Sequence, residues 1–342
     1  MTDILFDSRW IGNHGIGRSA RELQRLLANL VPFKAERPPS HPLDPLLLAT
    51  ALWNRKPALF FSPGYNPPLT SPCPFVFTLY DLNHLHIPGN SSAAKRAYYK
   101  HIIRPACHKA AFVLTGSEYS RSQIREWAKV SEEKIVNVGC GVGPPFCPTG
   151  EKYDPGYPYV LYVGGRKPHK NLERLFQAFA ASGVRKDVRL ILTGAQDSEM
   201  AGHIAKWDLA SSVHFLETPE DDELARVYRG AVALAFPSLY EGFGLPALEA
   251  LACGVPVLTS MVCSLPEVVG DAAVLVNPFS VEAIASGLRR LVYDSELRNQ
   301  LRTKGPRQAE KFSWDKTAEK TGDILELAAA KNSGRRVGAN HG

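Results

Sequence analysis

The chain has 342 residues, 44% of them hydrophobic and 22% charged, which suits about two domains, each with its own core. Forty Lys and Arg against 34 Asp and Glu leave a net charge of +6, compatible with a phosphate ligand or an anionic membrane but too diffuse for a nucleic-acid-binding face. Six cysteines without a Cys-x-x-Cys pair argue against zinc and a disulfide framework and for a reducing cytosol, and no apolar run is long enough to span a bilayer.

The start, Met1-Thr-Asp-Ile-Leu-Phe-Asp7, carries an acid where a signal peptide would carry bases, and residues 4–6 read as a short buried strand. A loop follows, then Gly15-Ile-Gly17 and a helix over 18–30 with Leu23, Leu26, Leu27 and Leu30 on its buried face. Gly15-Ile-Gly-Arg-Ser-Ala20 matches the dinucleotide fingerprint G-x-G-x-x-A, with Glu36 downstream. A dinucleotide turn follows its strand tightly, whereas several residues intervene here, so a dehydrogenase is the lesser reading. Free amides at a glycine-rich helix start suit a phosphate in any case.

Residues 36–45 are proline-rich and read as surface loop. Apolar runs at 58–61 and 75–79, bounded by prolines, read as parallel strands. Tyr80-Asp-Leu-Asn-His-Leu-His86 leaves the second of them at its carboxyl end, which makes Asp81 and His84 candidate functional groups and His86 a surface residue. A helix over 93–104 carries Arg96, Lys100 and Arg104 at four-residue spacing, with His108 in phase, and Ala94, Tyr98 and Ile102 on another face. That basic stripe is either a solvated face or a contact for anionic headgroups. A strand at 112–115, a helix begun by Ser117 and containing Ile124 and Trp127, and a strand at 134–138 complete an N-terminal domain of residues 1–150. Glycine and proline crowd residues 139–157, which read as the linker.

A second α/β domain spans 157–312. Its first strand, 159–163, leads into Gly164-Gly-Arg-Lys-Pro-His-Lys-Asn171 and a helix with Leu172, Leu175, Phe176 and Phe179 on one face. Arg166, Lys167 and Lys170 place fixed cations at a helix start, where they can neutralise a departing diphosphate. Strands follow at 188–193 and 213–216, and the acids of Glu217-Thr-Pro-Glu-Asp-Asp222 cap the next helix. No Asp-x-Asp pair is present, so no metal is expected. After a strand at 232–236, the turn Glu241-Gly-Phe-Gly244 leads into a helix opened by Pro246, and a strand follows at 255–259. This puts free amides and a helix N-terminus at the carboxyl end of a strand, framed by Glu241 and Glu249. Carboxylates beside an anion site make sense if they accept hydrogen bonds from sugar hydroxyls, as a nucleotide-sugar would supply. A helix at 280–292 falls near the end of the domain, a C-terminal helix follows at 313–330, and the tail from Ala328, residues 331–342 above all, is polar, without acids, and reads as unstructured.

The stretch EGFGLPALE, from Glu241 to Glu249, resembles the signature of retaining glycosyltransferases of the GT-B architecture, glycosyltransferase family 4, whose pattern is a Glu, seven residues and a Glu. ACGVPVLTS and LPEVVGDAAVLVNP, ending at Pro278, are similar to family members too, and the likeness extends over nearly the whole chain. It implies two Rossmann-like domains with parallel sheets facing across a cleft, the last helix crossing back to the first domain. It also implies transfer of a hexose from a nucleotide diphosphate sugar, with no cofactor and no metal. The roles implied are these. Glu249 holds ribose hydroxyls, and Glu241 holds hexose hydroxyls. The backbone of Gly242, Phe243, Gly244 and Leu245 holds sugar and phosphate. Lys170 and Arg166 stabilise the diphosphate, and Gly15 and Gly17 close over it. Family members carry His-Asp where this chain has Tyr80-Asp81, which leaves Asp81 and His84 on the acceptor side. His169 likewise stands where the family has Arg.

Residues 80–88 and 164–172 are most similar to mannosyl- and rhamnosyltransferases of bacterial surface polysaccharide. That implies GDP-mannose or a related GDP-deoxyhexose as donor, with UDP-sugars open, and a glycan or lipid-linked acceptor at the inner face of the plasma membrane. In a retaining transfer of this kind the acceptor attacks on the face that the phosphate leaves, and a diphosphate oxygen serves as base. The other classes compatible with the residues are a non-catalytic nucleotide-sugar-binding subunit and the NAD-dependent dehydrogenase.

Overall fold

The computed structural model describes residues 3–35 and 37–338 and divides into two compact units. The first comprises the chain up to Gly141 together with the segment from Trp314, and the second is Val142–Ser313.

In the first unit six parallel strands, β1 (Ile4–Asp7), β2 (Leu30–Phe33), β3 (Leu59–Ser62), β4 (Phe75–Thr78), β5 (Phe112–Thr115) and β6 (Ile135–Asn137), lie in the order β2-β1-β3-β4-β5-β6. β1, β3, β4 and β5 are buried throughout. Alternate residues feed opposite faces: Leu5, Phe60, Phe77 and Val113 one core, Ile4, Phe61, Val76 and Leu114 the other. The strand order reverses between β1 and β3.

The helices here are α1 (Gly15–Leu26), α2 (Asp44–Arg55), α3 (Asn83–His86), α4 (Ala93–Tyr98), α5 (Arg104–Lys109) and α6 (Glu118–Ala128). Three of them correct the sequence reading. First, α1 stops at Leu26, and Leu30 enters the core from β2. β2 is an edge strand, which explains how it tolerates Pro32. Second, α2 begins inside the predicted loop 36–45, with Asp44 and Pro45 buried in its first turn; Glu36 lies outside the described residues. Third, a π-helical turn, Tyr99–Ile103, joins α4 to α5. With this wider turn Tyr99, Ile103, Ala106 and Cys107 are the buried residues, while Tyr98 and Ile102 are half-buried and Ala94 is exposed. Arg96, Lys100 and His108 stay exposed, and Arg104 is half-buried.

In the second unit β7 (Tyr159–Tyr162), β8 (Arg189–Thr193), β9 (Val213–Leu216), β10 (Ala233–Phe236), β11 (Val257–Ser260) and β12 (Ala273–Val276) form a parallel sheet in the order β12-β11-β10-β7-β8-β9. This is the doubly wound order of dinucleotide folds, with its reversal between β7 and β10. Seven helices accompany it: α7 (Leu172–Ser182), α8 (Ser198–Lys206), α9 (Asp221–Gly230), α10 (Leu245–Ala252), α11 (Leu265–Val269), α12 (Val281–Tyr293) and α13 (Ser295–Ala309). The final helix, α14 (Trp314–Gly338), returns to the first unit and packs Ala318, Leu325 and Ala328 against Leu23 and Phe61. Ala328 is fully buried and the helix runs on to Gly338, so the predicted unstructured tail does not start there; residues 339–342 lie outside the described residues.

Candidate functional site

Ligands of open α/β sheets bind where the strand order reverses, beyond the carboxyl ends of the two strands involved. In the second unit those strands are β7 and β10, and the loops that leave them meet through one ion pair. Lys170 Nζ lies 2.7 Å from Glu241 Oε1, with the two side chains only 16% and 11% exposed. The ammonium also sits 5.2 Å from the centre of the Phe236 ring. Two residues expected on separate grounds, one as cation and one as sugar-binding acid, are thus direct partners 71 positions apart.

Two further side chains and one backbone hydrogen bond hold these loops, and sequence reasoning gave none of them a role. Asn171, in the left-handed conformation and buried, donates from Nδ2 to the carbonyls of Pro237 (2.9 Å) and Pro278 (2.8 Å). It ties the β7 loop to the chain ends beyond β10 and β12; its place in Lys170-Asn-Leu172 was the available signal. Ser264 Oγ bridges the carbonyls of Glu241 (2.9 Å) and Phe243 (3.0 Å) and fixes the curvature of the turn. The amide of Leu239 donates to the carbonyl of His169 at 2.7 Å. Burial, and then the charge of Lys170, push the His169 imidazole down to about 4, so it is neutral at physiological pH.

Gly244 caps α10 at φ +106°, a conformation that requires glycine, and a Cβ there would stand 2.6 Å from Leu265 Cδ2, so that side chain would have to shift. Phe243 is buried edge-on against Phe312, and Gly242 is buried beside it. One turn into α10, Glu249 is 3% exposed, and its Oε2 accepts a hydrogen bond from Tyr228 of α9 at 2.9 Å. In sequence Tyr228 looks like an ordinary core aromatic, so nothing singled it out.

Arg166 points elsewhere. Its Nη2 donates to the carbonyls of Thr193 (2.6 Å) and Gly194 (3.1 Å) at the end of β8, and the guanidinium lies over Phe215. With Lys167, Asp197 and His203 it lines a cavity of 260 Å³ on the α8 side of the loop, while Lys170 and Glu241 are not among the lining residues.

In the first unit, the position where the family has His is filled by Tyr80, whose hydroxyl donates to Ser19 Oγ of α1 at 2.7 Å. Asp81 Oδ1 accepts the amide of Asn83 at 2.9 Å and so opens α3. His84 lies between Tyr65 and Tyr99, its Nδ1 3.1 Å from the Tyr99 hydroxyl. Burial and the charge of Asp81 raise the Tyr65 hydroxyl above its usual range, which puts Tyr65 in the same polar cluster. The Gly17 amide donates to His14 Nδ1 at 3.0 Å, and its missing Cβ is required by close packing: a Cβ would lie 2.3 Å from the Gly12 carbonyl oxygen. Gly15, the first residue of α1, is exposed. Among the described residues no cluster of three His, Cys, Asp or Glu could hold a metal ion.

The family model described as "Glycosyl transferases group 1" matches residues 150–308. O-antigen chain mannosyltransferase B of Escherichia coli is 30% identical over 299 residues, which cover 83% of this chain and 78% of that protein. The chain belongs to the group 1 glycosyl transferases. Solved structures agree on the fold. Sucrose-phosphate synthase from Thermosynechococcus elongatus superposes with a TM-score of 0.78 at 19% identity, over 97% of this chain and 100% of that one. HepE of Anabaena, solved in complex with UDP-glucose, gives 0.75 at 17% identity, over 96% and 100%. This glycosyltransferase therefore has the two-domain GT-B fold, and its family sets aside the dehydrogenase reading of Gly15 to Ala20.

Proposed function

We propose that this glycosyltransferase moves a mannose-type hexose from a GDP-linked donor to a glycan or lipid-linked acceptor of bacterial surface polysaccharide, with retention of configuration. The observation that carries the reading is the Lys170–Glu241 pair at the β7/β10 reversal. It puts a cation and a sugar-binding carboxylate side by side at the place where a doubly wound sheet takes its ligand. Mannose and surface polysaccharide are favoured by the relative in Escherichia coli, an O-antigen chain mannosyltransferase. GDP is favoured by the similarity of residues 80–88 and 164–172 to mannosyl- and rhamnosyltransferases.

In this reading Lys170 meets the diphosphate, whose negative charge grows as the glycosidic bond breaks, and draws Glu241 into place for the hexose hydroxyls. The amides of Phe243, Gly244 and Leu245 hold sugar and phosphate, and Glu249, steadied by Tyr228, holds the ribose. Arg166 takes the nucleoside side, because its guanidinium is held at the end of β8. As the family resemblance implies, Gly15 and Gly17 serve the donor diphosphate, and Asp81 and His84 serve the acceptor. The acceptor hydroxyl attacks on the face the phosphate leaves, and a phosphate oxygen takes its proton, so no protein nucleophile, cofactor or metal is required. The enzyme works at the cytoplasmic face of the membrane.

The test is a thermal-shift series with GDP, UDP, dTDP, ADP and NAD, followed by NMR of the product's anomeric centre. A shift with GDP alone and a retained anomer are expected. A shift with UDP alone would move the donor assignment, and a shift with NAD alone would end the reading.

A further inference from the structure

We propose that the exposed face of α2 docks this chain onto an anionic lipid surface. Eleven large hydrophobic residues are exposed among those described, and five of them, Leu43, Leu46, Leu47, Trp53 and Leu69, belong to α2 and the segment beside it. The spacing of the first four puts them on one side of a 3.6-residue helix, while Leu48, Ala49 and Leu52 fill the core from the other. Leu69 joins the stripe because its amide donates to the Pro45 carbonyl at 2.9 Å, and the Trp53 indole reaches Thr70 Oγ1 at 3.4 Å. An apolar patch of this extent marks a binding surface rather than scattered exposure.

The charge around the stripe selects the occupant. Between Arg37 and Tyr80 the only carboxylate is Asp44, and it is buried against Arg9. Arg37, Arg55 and Lys56 are all exposed, so among the described residues 37–80 the stripe has cations at its edges and no exposed carboxylate. A second copy of a chain with a net charge of +6 would meet like charge at those edges. Anionic headgroups would be attracted there, with the leucines and Trp53 entering the acyl boundary. Leu48, Ala49 and Leu52 hold the other side of α2 against the core, so the helix meets the lipid surface lengthwise. The basic stripe of Arg96 and Lys100 lacks this apolar companion, because no exposed large hydrophobic residue lies between 93 and 109.

The purpose of the docking rests on the lipid-linked-acceptor reading, but its test needs no acceptor. The full chain is sedimented with vesicles of phosphatidylcholine alone and with vesicles containing phosphatidylglycerol. The wild type co-sediments with the anionic vesicles. The triple variant Leu46→Gln, Leu47→Gln, Trp53→Gln loses at least about tenfold in partitioning, as loss of the inserted apolar face requires. Arg55→Glu with Lys56→Glu loses the preference for anionic lipid, and Arg96→Glu with Lys100→Glu keeps it. The same preparations are checked for a nucleoside diphosphate thermal shift, so a failed donor reading and a failed docking surface give different patterns. Equal partitioning of the triple variant would overturn the proposal. So would a wild type that stays in the supernatant, or one that forms a dimer dissolved by those three substitutions.

Discussion

Acid should destabilise the second unit through His169. The imidazole is 5% exposed and is depressed from 6.5 to about 4 by burial and by the charge of Lys170. The folded chain therefore holds His169 neutral while the unfolded chain protonates it near 6.5, so between those values the unfolded state binds one more proton. Stability from this group is complete above 6.5 and drains away as pH falls toward 4, at up to about 1.4 kcal/mol per pH unit. Over the whole interval this reaches about 3 kcal/mol, and about 2 kcal/mol by pH 5. The assay is urea unfolding of the wild type and of His169→Gln across pH 7.5 to 4.5, read as the difference between the two so that other titrating groups cancel. The wild type should lose ground steadily below pH 6.5. Parallel curves, or an imidazole that titrates near 6.5 by NMR, would refute the reasoning.

Glu241→Gln should lower turnover by about 100-fold or more, the size of a lost transition-state contact, while unfolding free energy falls by only about 1–2 kcal/mol because Lys170 can still reach water. Lys170→Ala should weaken nucleoside diphosphate binding by at least about tenfold, measured by calorimetry, since a charge-assisted contact is lost. Tyr228→Phe leaves the buried Glu249 short of a donor; it should cost about 1.5–3 kcal/mol in denaturant titration and raise the KM for the donor. An unchanged KM there would make Tyr228 a stability residue only. Gly17→Ala drives a methyl into the Gly12 backbone and should cost about 2–4 kcal/mol; a normal Tm would show that α1 can shift.

Strands buried on both faces, such as Phe75–Thr78 and Phe112–Thr115, were plain in the sequence because every residue is apolar or small. β2 was hidden because two of its four residues face solvent and Pro32 breaks the pattern. α2 was hidden for a related reason: leucines on its exposed face erase the helical period that separates core from surface. The π-helical turn leaves no compositional trace, so helical spacing alone did not single out Tyr99 and Ile103 as the buried residues. At the site, Glu241, Lys170 and the glycine turn could be found from local pattern. The contacts from Asn171, Ser264 and Tyr228 could not, because they join segments 21 to 107 residues apart and use residue types found throughout any core.

The return of α14 to the first unit has a consequence for synthesis on the ribosome. The second unit, Val142–Ser313, lies between the two parts of the first. At roughly 5–20 residues per second its emergence takes on the order of ten to thirty seconds. Throughout that wait the surface around Leu23, Phe61 and Leu114 lacks Ala318, Leu325 and Ala328, which later seal it. The nascent chain thus carries an open hydrophobic face while the second unit is free to fold to completion. The half made first is finished last.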